Sequence, residues 1–449
     1  MQTQLIREGK TKQIFSIEGE PNKVRVVSKD DITAGDGAKH DTIVGKAALA
    51  TRTTCNVFRL LRACNIPIAF ENQFSATEFL ADKCTMLPYE VVVRREAHGS
   101  YLDRNPHLEK GQVFPRLVVE FFLKTHGKTW IGKQSGVVYS LVKDDPLMKV
   151  DNKRALVHLY YPGYTSEERK TAHKGMLVGQ NPFLTLPFVE VFTRSDENQL
   201  FEQMGDIACQ TFLVLEKAWQ IQGRRLVDFK VEFGINTEGK LRLADVIDND
   251  SWRVVDHSGG YIDKQVYRDG GDLDMVTAKY REVADATDRF GVPLQRLIIW
   301  RGSDKDDLEP FNVAIVKRTF SLTTFIYTAV TCSIHKQPAL AYALLQGHIQ
   351  EIPDCVIIAY IGRSNGAGPV LAANSTVPVI AVPARYKEFP EDVWSSLRTP
   401  SNVPLMTVLE PENAVLAALQ ILAVRNPSIY ATLRFEREKH LTSLVNNPQ

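Results

Sequence analysis

The chain has 449 residues, of which 44% are hydrophobic and 24% are charged. These fractions exclude a mainly disordered, collagen-like or coiled-coil protein. Because 54 Lys and Arg residues stand against 53 Asp and Glu residues, the net charge is only +1, and we expect neither a nucleic acid nor a membrane as a partner. Any anionic ligand must therefore be held by a local group of side chains.

Two further features bear on the cellular compartment. No apolar run reaches the roughly 18 residues that a membrane-spanning helix needs, and residues 1–10 lack the apolar core of a signal peptide. The six cysteines show no CxxC spacing and the ten histidines no HExxH spacing. This pattern predicts reduced thiols and no structural zinc site, as in a cytosolic protein.

The first part of the chain mixes short strands with a few helices. Alternating or apolar runs predict strands at Lys23–Ser28, Glu90–Arg94 and Leu226–Phe233. Asp272–Phe290 has the apolar spacing of an amphipathic helix. Residues 124–190 carry mixed polarity and turn residues, which predicts an insertion. We expect a two-lobed α+β domain.

The second part has a different pattern. Apolar strands alternate with helix-like stretches, which is typical of a parallel α/β sheet covered by helices. The predicted strands are Leu297–Trp300, Phe325–Thr331, Cys355–Ile361 and Pro378–Val382. We therefore predict a first domain at 1–289, a linker at 290–295 and a three-layer α/β domain with a parallel sheet at 296–449.

A glycine turn with two lysines lies near the start, at Gly9, Lys10 and Lys12. It is no Walker A loop, because Gln4 stands where that motif requires glycine and the run that follows predicts a strand. A glycine turn between two strands can still cover phosphates, as in kinase-like folds. The alternative is an exposed basic hairpin.

Two further segments have the composition of ligand-binding loops. Asp36 lies between two glycines, which free the backbone for a close approach to a ligand. Arg94 precedes a Gly-Ser pair that ends at Ser100, and arginine can hold a phosphate or carboxylate through two parallel hydrogen bonds. The alternatives are a surface loop and a salt-bridged strand end.

The sharpest pattern is the alternation of Asp228, Lys230 and Glu232 with apolar residues. Because a strand has a period of two, all three polar side chains should share one face. A second acidic run contains Asp245, and an adjacent strand could bring it beside Glu232. Two carboxylates beside a lysine form a hard-oxygen site for Mg²⁺ that bridges nucleotide phosphates. The alternative is a solvated strand face.

These segments together resemble phosphoribosylaminoimidazole-succinocarboxamide synthase. The resembling motifs are EGKTK (8–12), SKDDITAGDGAK (28–39), VVRREAHGSYLDRNP (92–106), VDFKVEFG (227–234), LADVIDNDSWR (243–253) and DKQVYRD (263–269). The resemblance implies an ATP-dependent reaction, in which a ribotide carboxylate becomes an acyl phosphate that the amine of L-aspartate attacks.

The resemblance also implies roles for individual residues. ATP would be bound by Gly9, Lys10, Lys12, Lys230 and Glu232, with Mg²⁺ at Glu232 and Asp245. The ribotide phosphate would be held by Arg94, Ser100 and Arg253. Asp36, Asp228 and Lys230 are the catalytic candidates, although the role of Asp228 does not follow from the resemblance.

Three loops follow predicted strands in the second part: GSDKD (302–306), SIHKQP (333–338) and GRSNGAGP (362–369). Such loops lie at the carboxyl ends of parallel strands, where α/β folds bind their ligands. His335 beside Lys336 suits proton transfer or polarisation of a carboxylate. The alternative for a single histidine is a structural role.

These loops resemble the animal-type phosphoribosylaminoimidazole carboxylase, which animals carry fused behind the synthase. The resemblance implies direct use of CO2 without biotin and assembly as a homo-octamer. The implied ribotide and CO2 contacts are Gly302, Ser303, Asp306, Ser333, Lys336, Arg363 and Ser364, with His335 and Lys336 as catalytic candidates.

Some residues depart from that family's usual pattern. Asp304 and Lys305 replace small hydroxyl residues, and Gln337 replaces glycine. One alternative is therefore an active synthase fused to a non-catalytic oligomerising domain. A second is a kinase-like phosphotransferase with a regulatory nucleotide-binding domain.

Overall fold

The computed structural model describes residues 4–34, 39–164, 168, 181–194, 196–317, 324–362 and 366–446. The chain separates into two compact units. The first comprises Ile66–Phe290 with the residues before Ala63 and after Arg437, and the second comprises Gly291–Arg437 with Ala63–Asn65. No helix in these described ranges is both long and apolar enough to cross a bilayer.

The first unit begins with a small antiparallel sheet. Its strands, with an adjoining hairpin, are β1 (Leu5–Glu8), β2 (Lys12–Ser16), β3 (Lys23–Ser28), β4 (Asp31–Ala34), β5 (Lys39–Thr42), β6 (Phe70–Gln73) and β7 (Glu78–Asp82). Five of them form a sheet in the order β1-β2-β3-β7-β6, while β4 and β5 form a separate two-stranded ladder. Helix α1 (Lys46–Ala63) packs through Phe58 on Phe70 and Phe79, with ring centroids 5.4 and 6.5 Å away.

A larger sheet forms the rest of this unit. Its strands and one further hairpin are β8 (Cys84–Glu96), β9 (Val113–Leu123), β10 (Thr129–Ile131), β11 (Val138–Ser140), β12 (Leu147–Asp151), β13 (Leu156–Tyr160), β14 (Leu184–Pro187), β15 (Arg225–Asn236), β16 (Leu241–Leu243) and β17 (Trp252–Val255). The order is β14-β13-β12-β9-β8-β15-β16, with β17 also beside β15, and β10 pairs with β11. The accompanying helices are α2 (Ser100–Arg104), α3 (Phe188–Val191), α4 (Glu197–Ile221), α5 (Gln265–Arg268) and α6 (Leu273–Thr287).

The two faces of β15 differ in polarity, as its period-two pattern predicts. Phe229 and Val231 are buried, and Phe229 meets Phe212 of α4 edge-on at 5.4 Å. The alternate residues Asp228, Lys230 and Glu232 share the other face. They pair across the ladder with Arg94, Val92 and Glu90 of β8, in that order. The large sheet therefore has one apolar face under α4 and one face rich in charges.

The second part of the chain is a parallel α/β fold. Its strands are β18 (Arg296–Arg301), β19 (Ile326–Thr331), β20 (Cys355–Ile361), β21 (Val379–Pro383) and β22 (Met406–Thr407). Its helices are α7 (Glu309–Lys317), α8 (Pro338–Glu351), α9 (Ala367–Ala373), α10 (Trp394–Leu397), α11 (Pro411–Leu422) and α12 (Pro427–Asn446), with a 3-10 turn at Pro390–Val393. The strands run parallel in the order β19-β18-β20-β21-β22.

Helices cover both faces of this parallel sheet. Ile299 and Ile358 pack with residues of α7 and α11 on one face. Ile298 and Ile357 pack with residues of α8 and α9 on the other. Strands buried on both sides need apolar side chains at every position, which explains their continuous apolar runs. The predicted fold class, a two-lobed α+β domain followed by a three-layer α/β domain, is confirmed.

Candidate functional site

Lys12 and the two predicted metal carboxylates lie in the same part of the first unit. The Lys12 ammonium forms an ion pair with the Asp245 carboxylate. Asp245 follows β16, which pairs with β15. The preceding residue, Ala244, donates its N–H to the Glu232 carbonyl at 3.0 Å and so links the two segments. The Glu232 carboxylate receives the Lys124 ammonium at 2.5 Å. The segments of Lys12, Glu232 and Asp245 are therefore neighbours, as the sequence predicted, whereas Lys124 had no signal in the sequence.

The ammonium of Lys12 is poorly solvated. Desolvation lowers the pKa of Lys12 from 10.5 to about 8, although the negative charges of Glu232 and Asp248 act in the opposite direction. A lysine in this state gains from a further anion, because a phosphate would replace the lost hydration. Lys12 is thus suited to hold a phosphate group.

Lys230 pairs with Val92 of β8, two ladder positions from the pair of Asp228 with the buried Arg94. Its ammonium contacts the Glu90 carboxylate at 2.7 Å. Burial alone would lower the pKa of Lys230, but Glu90 and Glu232 outweigh it and hold that pKa above its ordinary value. Lys230 therefore stays cationic at physiological pH, as a contact to phosphate requires.

Asp228 lies between two guanidinium groups. Its Oδ2 accepts from Nη1 of Arg94 at 2.8 Å and from Nη1 of Arg253 at 2.6 Å. Asp228 and Arg94 are both buried, with 3% and 4% of their surfaces exposed. Burial opposes the charge of Arg94, yet the carboxylates of Glu120 and Asp228 keep its pKa above the usual value. Asp228 thus acts as a counter-ion in this arrangement.

A pocket of about 140 Å³ opens above this charged face. Its lining includes four cationic and three acidic side chains, namely Arg94, Lys230, Arg253, Arg268, Glu90, Asp228 and Asp250. Four of the predicted site residues therefore line one pocket. Arg268 and Asp250 fall within the family motifs but had no predicted role, since nothing in their spacing identified them.

Gly99 and Ser100 follow the C-terminal end of β8, the end that carries Arg94. Ser100 is the first residue of α2 and is half-buried. Gly99 has a φ of 59°, which favours glycine, and a Cβ there would stand 2.7 Å from Nη2 of Arg253. Glycine at position 99 therefore allows the Arg253 guanidinium to approach the start of α2.

A buried polar group extends behind the pocket. Asp250 accepts from the Tyr280 hydroxyl at 2.7 Å and pairs with the Lys264 ammonium at 3.2 Å. Lys46 is also buried and lies with its ammonium 5.5 Å from the Tyr280 ring. Although burial opposes its charge, the two lysines hold the pKa of Asp250 below its ordinary value. These groups hold the Asp250 carboxylate, which lines the pocket, in place.

Glu232 and Asp245 are the two candidate metal ligands. Across the ranges that the structure describes, no cluster of three or more His, Cys, Asp or Glu side chains is arranged to hold a metal. Mg²⁺ in nucleotide sites is usually held by one or two carboxylates together with substrate phosphates and water. Two carboxylates beside Lys12 and Lys124 have the donor chemistry of such a site.

The remaining predicted residues of the first unit are Gly9, Lys10 and Asp36. Gly9 and Lys10 are exposed in the turn between β1 and β2, where the Gly9 N–H donates to the Lys12 carbonyl at 2.8 Å. Asp36 lies outside the described residues.

In the second unit, the predicted site residues follow β18, β19 and β20, and these neighbouring strands end at the same height in the sheet. Arg301 at the end of β18 pairs with Thr331 of β19 and Tyr360 of β20. Gly302 and Ser303 come directly after β18. Asp306 is half-buried, and its carboxylate lies so close to Gly362 that a Cβ at position 362 would collide with it.

The loop after β19 contributes Ser333, His335 and Lys336. Ser333 is half-buried and its carbonyl accepts from the Gln337 N–H at 2.9 Å, while His335 and Lys336 are exposed. Burial raises the pKa of the neighbouring Cys332 thiol, which argues against a nucleophile there. Arg363 and Ser364 lie outside the described residues.

Two of the residues that depart from the family pattern have identifiable contacts. Arg301 donates to the Asp304 carboxylate at 2.7 Å and to the Asp306 carbonyl at 3.1 Å. Asp304 is therefore turned toward Arg301. The Cys332 thiol lies 3.9 Å from the amide oxygen of Gln337.

Comparisons with known proteins agree with this organisation. The SAICAR synthetase family matches residues 5–152 and 185–287, and the AIR carboxylase family matches residues 296–442. The Caenorhabditis elegans protein named "Probable multifunctional protein ADE2" is 34% identical over 452 residues, which cover 99% of this chain and 95% of that protein.

Two further proteins are similar to this chain. The Homo sapiens bifunctional phosphoribosylaminoimidazole carboxylase/phosphoribosylaminoimidazole succinocarboxamide synthetase is 33% identical over 442 residues, covering 95% of this chain and 92% of that protein. A solved SAICAR synthetase in complex with ADP is 26% identical, covers 63% of this chain and 96% of its own, and has a TM-score of 0.45.

The fold and the two groups of loops define a two-domain enzyme, with a charged pocket on an antiparallel sheet and a second group of candidate residues at the carboxyl ends of parallel strands. The chain belongs to the bifunctional family that joins a SAICAR synthetase to an AIR carboxylase. It is a ligase and carboxy-lyase of de novo purine biosynthesis, which combines a carboxylation with a condensation with aspartate.

Proposed function

We propose that the first unit joins the two substrates through an acyl phosphate. A carboxylate is a poor electrophile, so ATP would transfer its γ-phosphoryl group to a carboxylate oxygen of the ribotide and leave ADP. The amine of L-aspartate would then attack the acyl carbon, form the C–N bond, lose a proton and expel phosphate. The observation that carries this proposal is the pocket in which Lys230, Arg94, Asp228 and Arg253 converge.

In this proposal, lysines hold the ATP phosphates. Lys10 lies in the glycine turn beside Gly9, Lys12 begins β2, and Lys230 belongs to β15. The depressed pKa of Lys12 supports its part, because a desolvated ammonium binds a phosphate strongly. Mg²⁺ held by Glu232 and Asp245 would neutralise charge on the phosphates.

The ribotide phosphate is assigned to Arg94, Ser100 and Arg253. Arginine side chains suit a phosphate because their N–H groups can donate in parallel. Asp228 holds both guanidinium groups in place from behind, and we assign it to positioning these groups. Asp36 is proposed to face the reacting end of the ribotide.

The second unit is proposed to add CO2 directly to aminoimidazole ribotide, without biotin. The new C–C bond forms at the imidazole carbon, which then loses its proton. Gly302, Ser303, Asp306 and Ser333 are assigned to the ribotide, together with Arg363 and Ser364. His335 and Lys336 are assigned to CO2 and proton transfer, and their exposure beside the strand ends gives a substrate access to them.

The organisation of the enzyme follows from the same assignment. We place the synthase at residues 1–289, with an insertion within 124–190, the linker at 290–295 and the carboxylase at 296–449. Family matches at 5–152, 185–287 and 296–442 support these limits, and the gap between the first two falls within the proposed insertion. We expect a homo-octamer in the cytosol. Six free cysteines are consistent with a reducing compartment.

One omission assay tests both activities. The enzyme is supplied with aminoimidazole ribotide, bicarbonate, L-aspartate and MgATP, and each is left out in turn. Carboxylated ribotide should accumulate without ATP, and the succinocarboxamide should form only when ATP and aspartate are both present. If no carboxylated ribotide forms without ATP, the second unit is not an active carboxylase of this type. If ATP turns over without aspartate and phosphorylates a hydroxyl acceptor, the kinase-like alternative holds.

Two variants then separate the sites. Asp245→Ala should abolish only the ATP-dependent step, because it removes a proposed metal ligand and the ion pair of Lys12. Lys336→Ala should abolish only the addition of CO2. Each variant is the folding control for the other, since both steps are measured on the same chain. If either change stops both steps in a folded protein, the two-site assignment is wrong.

A further inference from the structure

Glu120 of β9 bridges two arginines that belong to different elements. Its Oε2 accepts from Nε of Arg94 in β8 at 2.8 Å, and its Oε1 accepts from Nη2 of Arg104 in α2 at 2.5 Å. Arg104 also donates to the Pro162 carbonyl. Glu120, Arg94 and Arg104 are all buried, each with less than a tenth of its surface exposed. The bridge is therefore largely shielded from solvent, although Arg104 and Glu120 also line a second pocket of about 930 Å³.

The bridge leaves one end of Arg94 for a ligand. Its Nε bonds to Glu120, and its Nη1 bonds to Asp228. Within the described parts of the chain its Nη2 has no hydrogen-bond partner, and Arg94 lines the pocket beside Arg253. With two of its three nitrogens fixed by carboxylates, the guanidinium plane has little freedom, and its remaining N–H groups keep one direction.

The same bridge locates the start of α2. Arg104 is the last residue of α2 and Ser100 is the first, so Glu120 ties the helix that carries Ser100 to the strand that carries Arg94. The Tyr101 ring supports this arrangement from between the two arginines, with each guanidinium 5.8 Å from its centroid. Two groups assigned to the ribotide phosphate are thus held at a fixed separation.

The charges of this group, in which Arg253 is half-buried and the other four side chains are buried, do not balance by themselves. Three guanidinium groups, those of Arg94, Arg104 and Arg253, share two carboxylates, those of Glu120 and Asp228. Buried charges are costly unless they are paired. Within this group of five side chains one positive charge has no carboxylate of its own, and Arg94 and Arg253 bring it to the pocket, where a bound anion would pair with it.

We infer that Glu120, held by Arg104, is a positioning residue that aims Arg94 and the start of α2 at the phosphate of the ribotide. This inference rests on the proposed function of the pocket and adds a specificity device to it. The enzyme would recognise a phosphorylated nucleoside in particular, because the aligned N–H groups have no comparable partner on an unphosphorylated one.

Glu120→Gln and Glu120→Asp test this inference by opposite changes. The first keeps the length of the side chain and removes its charge, and the second keeps the charge and shortens the reach. Both should raise the KM for the carboxylated ribotide by about 10- to 100-fold, with kcat much less affected, because a small misplacement of the binding groups weakens substrate binding. The KM for MgATP and the carboxylase rate should stay unchanged.

A purely electrostatic role for Glu120 makes different predictions. Removing its negative charge would then strengthen the attraction for a phosphate, so Glu120→Gln would lower the KM for the ribotide, and Glu120→Asp would behave like the wild type. Either result overturns the inference. Competitive inhibition by inorganic phosphate provides a direct reading of the same anion site and should weaken in both variants.

Two controls separate folding and the underlying assignment from this inference. Glu197→Gln removes another buried carboxylate of this unit, which contacts Tyr89 and Thr193 and lies outside the pocket lining. It should leave the KM for the ribotide unchanged. Arg94→Gln tests the assigned grip itself. If Arg94→Gln has no effect on ribotide binding, the proposed site is wrong, whereas an effect of Arg94→Gln without one of the Glu120 variants rejects only the positioning role.

Discussion

Lys12 makes the affinity for ATP depend on pH in a range that can be measured. Its pKa lies at about 8 because its ammonium is desolvated, a shift that Glu232 and Asp248 only partly offset. A phosphate binds the ammonium form and not the neutral amine. Above pH 8 the binding of MgATP must therefore be accompanied by uptake of a proton, and the apparent KM must rise.

The size of this effect follows from the titration of one group. With a pKa of about 8, roughly nine-tenths of Lys12 is protonated at pH 7 and roughly one-tenth at pH 9. The apparent KM for MgATP should then increase about ten-fold between these values, which corresponds to ~1.4 kcal/mol. Lys230 should not add to this change, because its pKa lies above the ordinary value for lysine.

The assay measures formation of the succinocarboxamide against MgATP concentration from pH 6.5 to 9.5, with the other substrates saturating. Lys12→Arg retains a positive charge throughout this range and should abolish the rise. Lys12→Met should show a high KM at every pH. A KM that stays constant for the wild type, or rises equally in Lys12→Arg, would show that the ammonium of Lys12 does not bind the phosphates.

Three other predictions follow from the packing of single residues. Gly99→Ala should raise the KM for the ribotide and cost about 1–3 kcal/mol of stability, because φ is 59° and the new Cβ meets Arg253; an unchanged KM would contradict the placement of Arg253. Burial raises the pKa of Asp263 to about 7, so the contribution of this carboxyl group to stability falls as the pH rises from about 4 to 7. In urea unfolding, Asp263→Asn should therefore lose less stability relative to the wild type at pH 7.5 than at pH 5. An equal loss at both pH values would refute the shift. Asn426→Ala should destabilise the second unit by about 2–4 kcal/mol in urea, since this buried amide makes four hydrogen bonds; a loss below about 1 kcal/mol would contradict that network.

Much of the fold could be predicted from periodicity alone. Cys355–Ile361 is a strand with the predicted limits, and the helix predicted at Asp272–Phe290 is Leu273–Thr287 with Asp272 as its cap. These segments are short-range signals, because burial on both faces or on one stripe decides which residues are apolar. The order of the strands was not predictable, since it depends on contacts between distant segments.

The site shows the same division. The period-two run at Asp228 identified a charged strand face, because that pattern is local. The partner of Arg94 on β9, Glu120, was not predictable. Its bridge to Glu120 depends on the pairing of β8 with β9, where a shift in register lies between Arg94 and Glu96. Sequence spacing does not determine such a shift, so Glu120 had no recognisable signal.

The near-neutral composition of the chain has a local counterpart in the way the lysines of the first unit's site are paired. Lys12 contacts Asp245, Lys124 contacts Glu232 and Lys230 contacts Glu90. Each of these three lysines therefore has its own counter-ion, and a single small anion gains little by approaching Lys124 or Lys230 alone. A substrate with several phosphates gains more, because it can contact several cations at once and a metal can take up the carboxylates. Selectivity for ligands with several phosphates then comes from where the paired charges are placed. An overall basic excess would attract any anion and would not provide this selectivity.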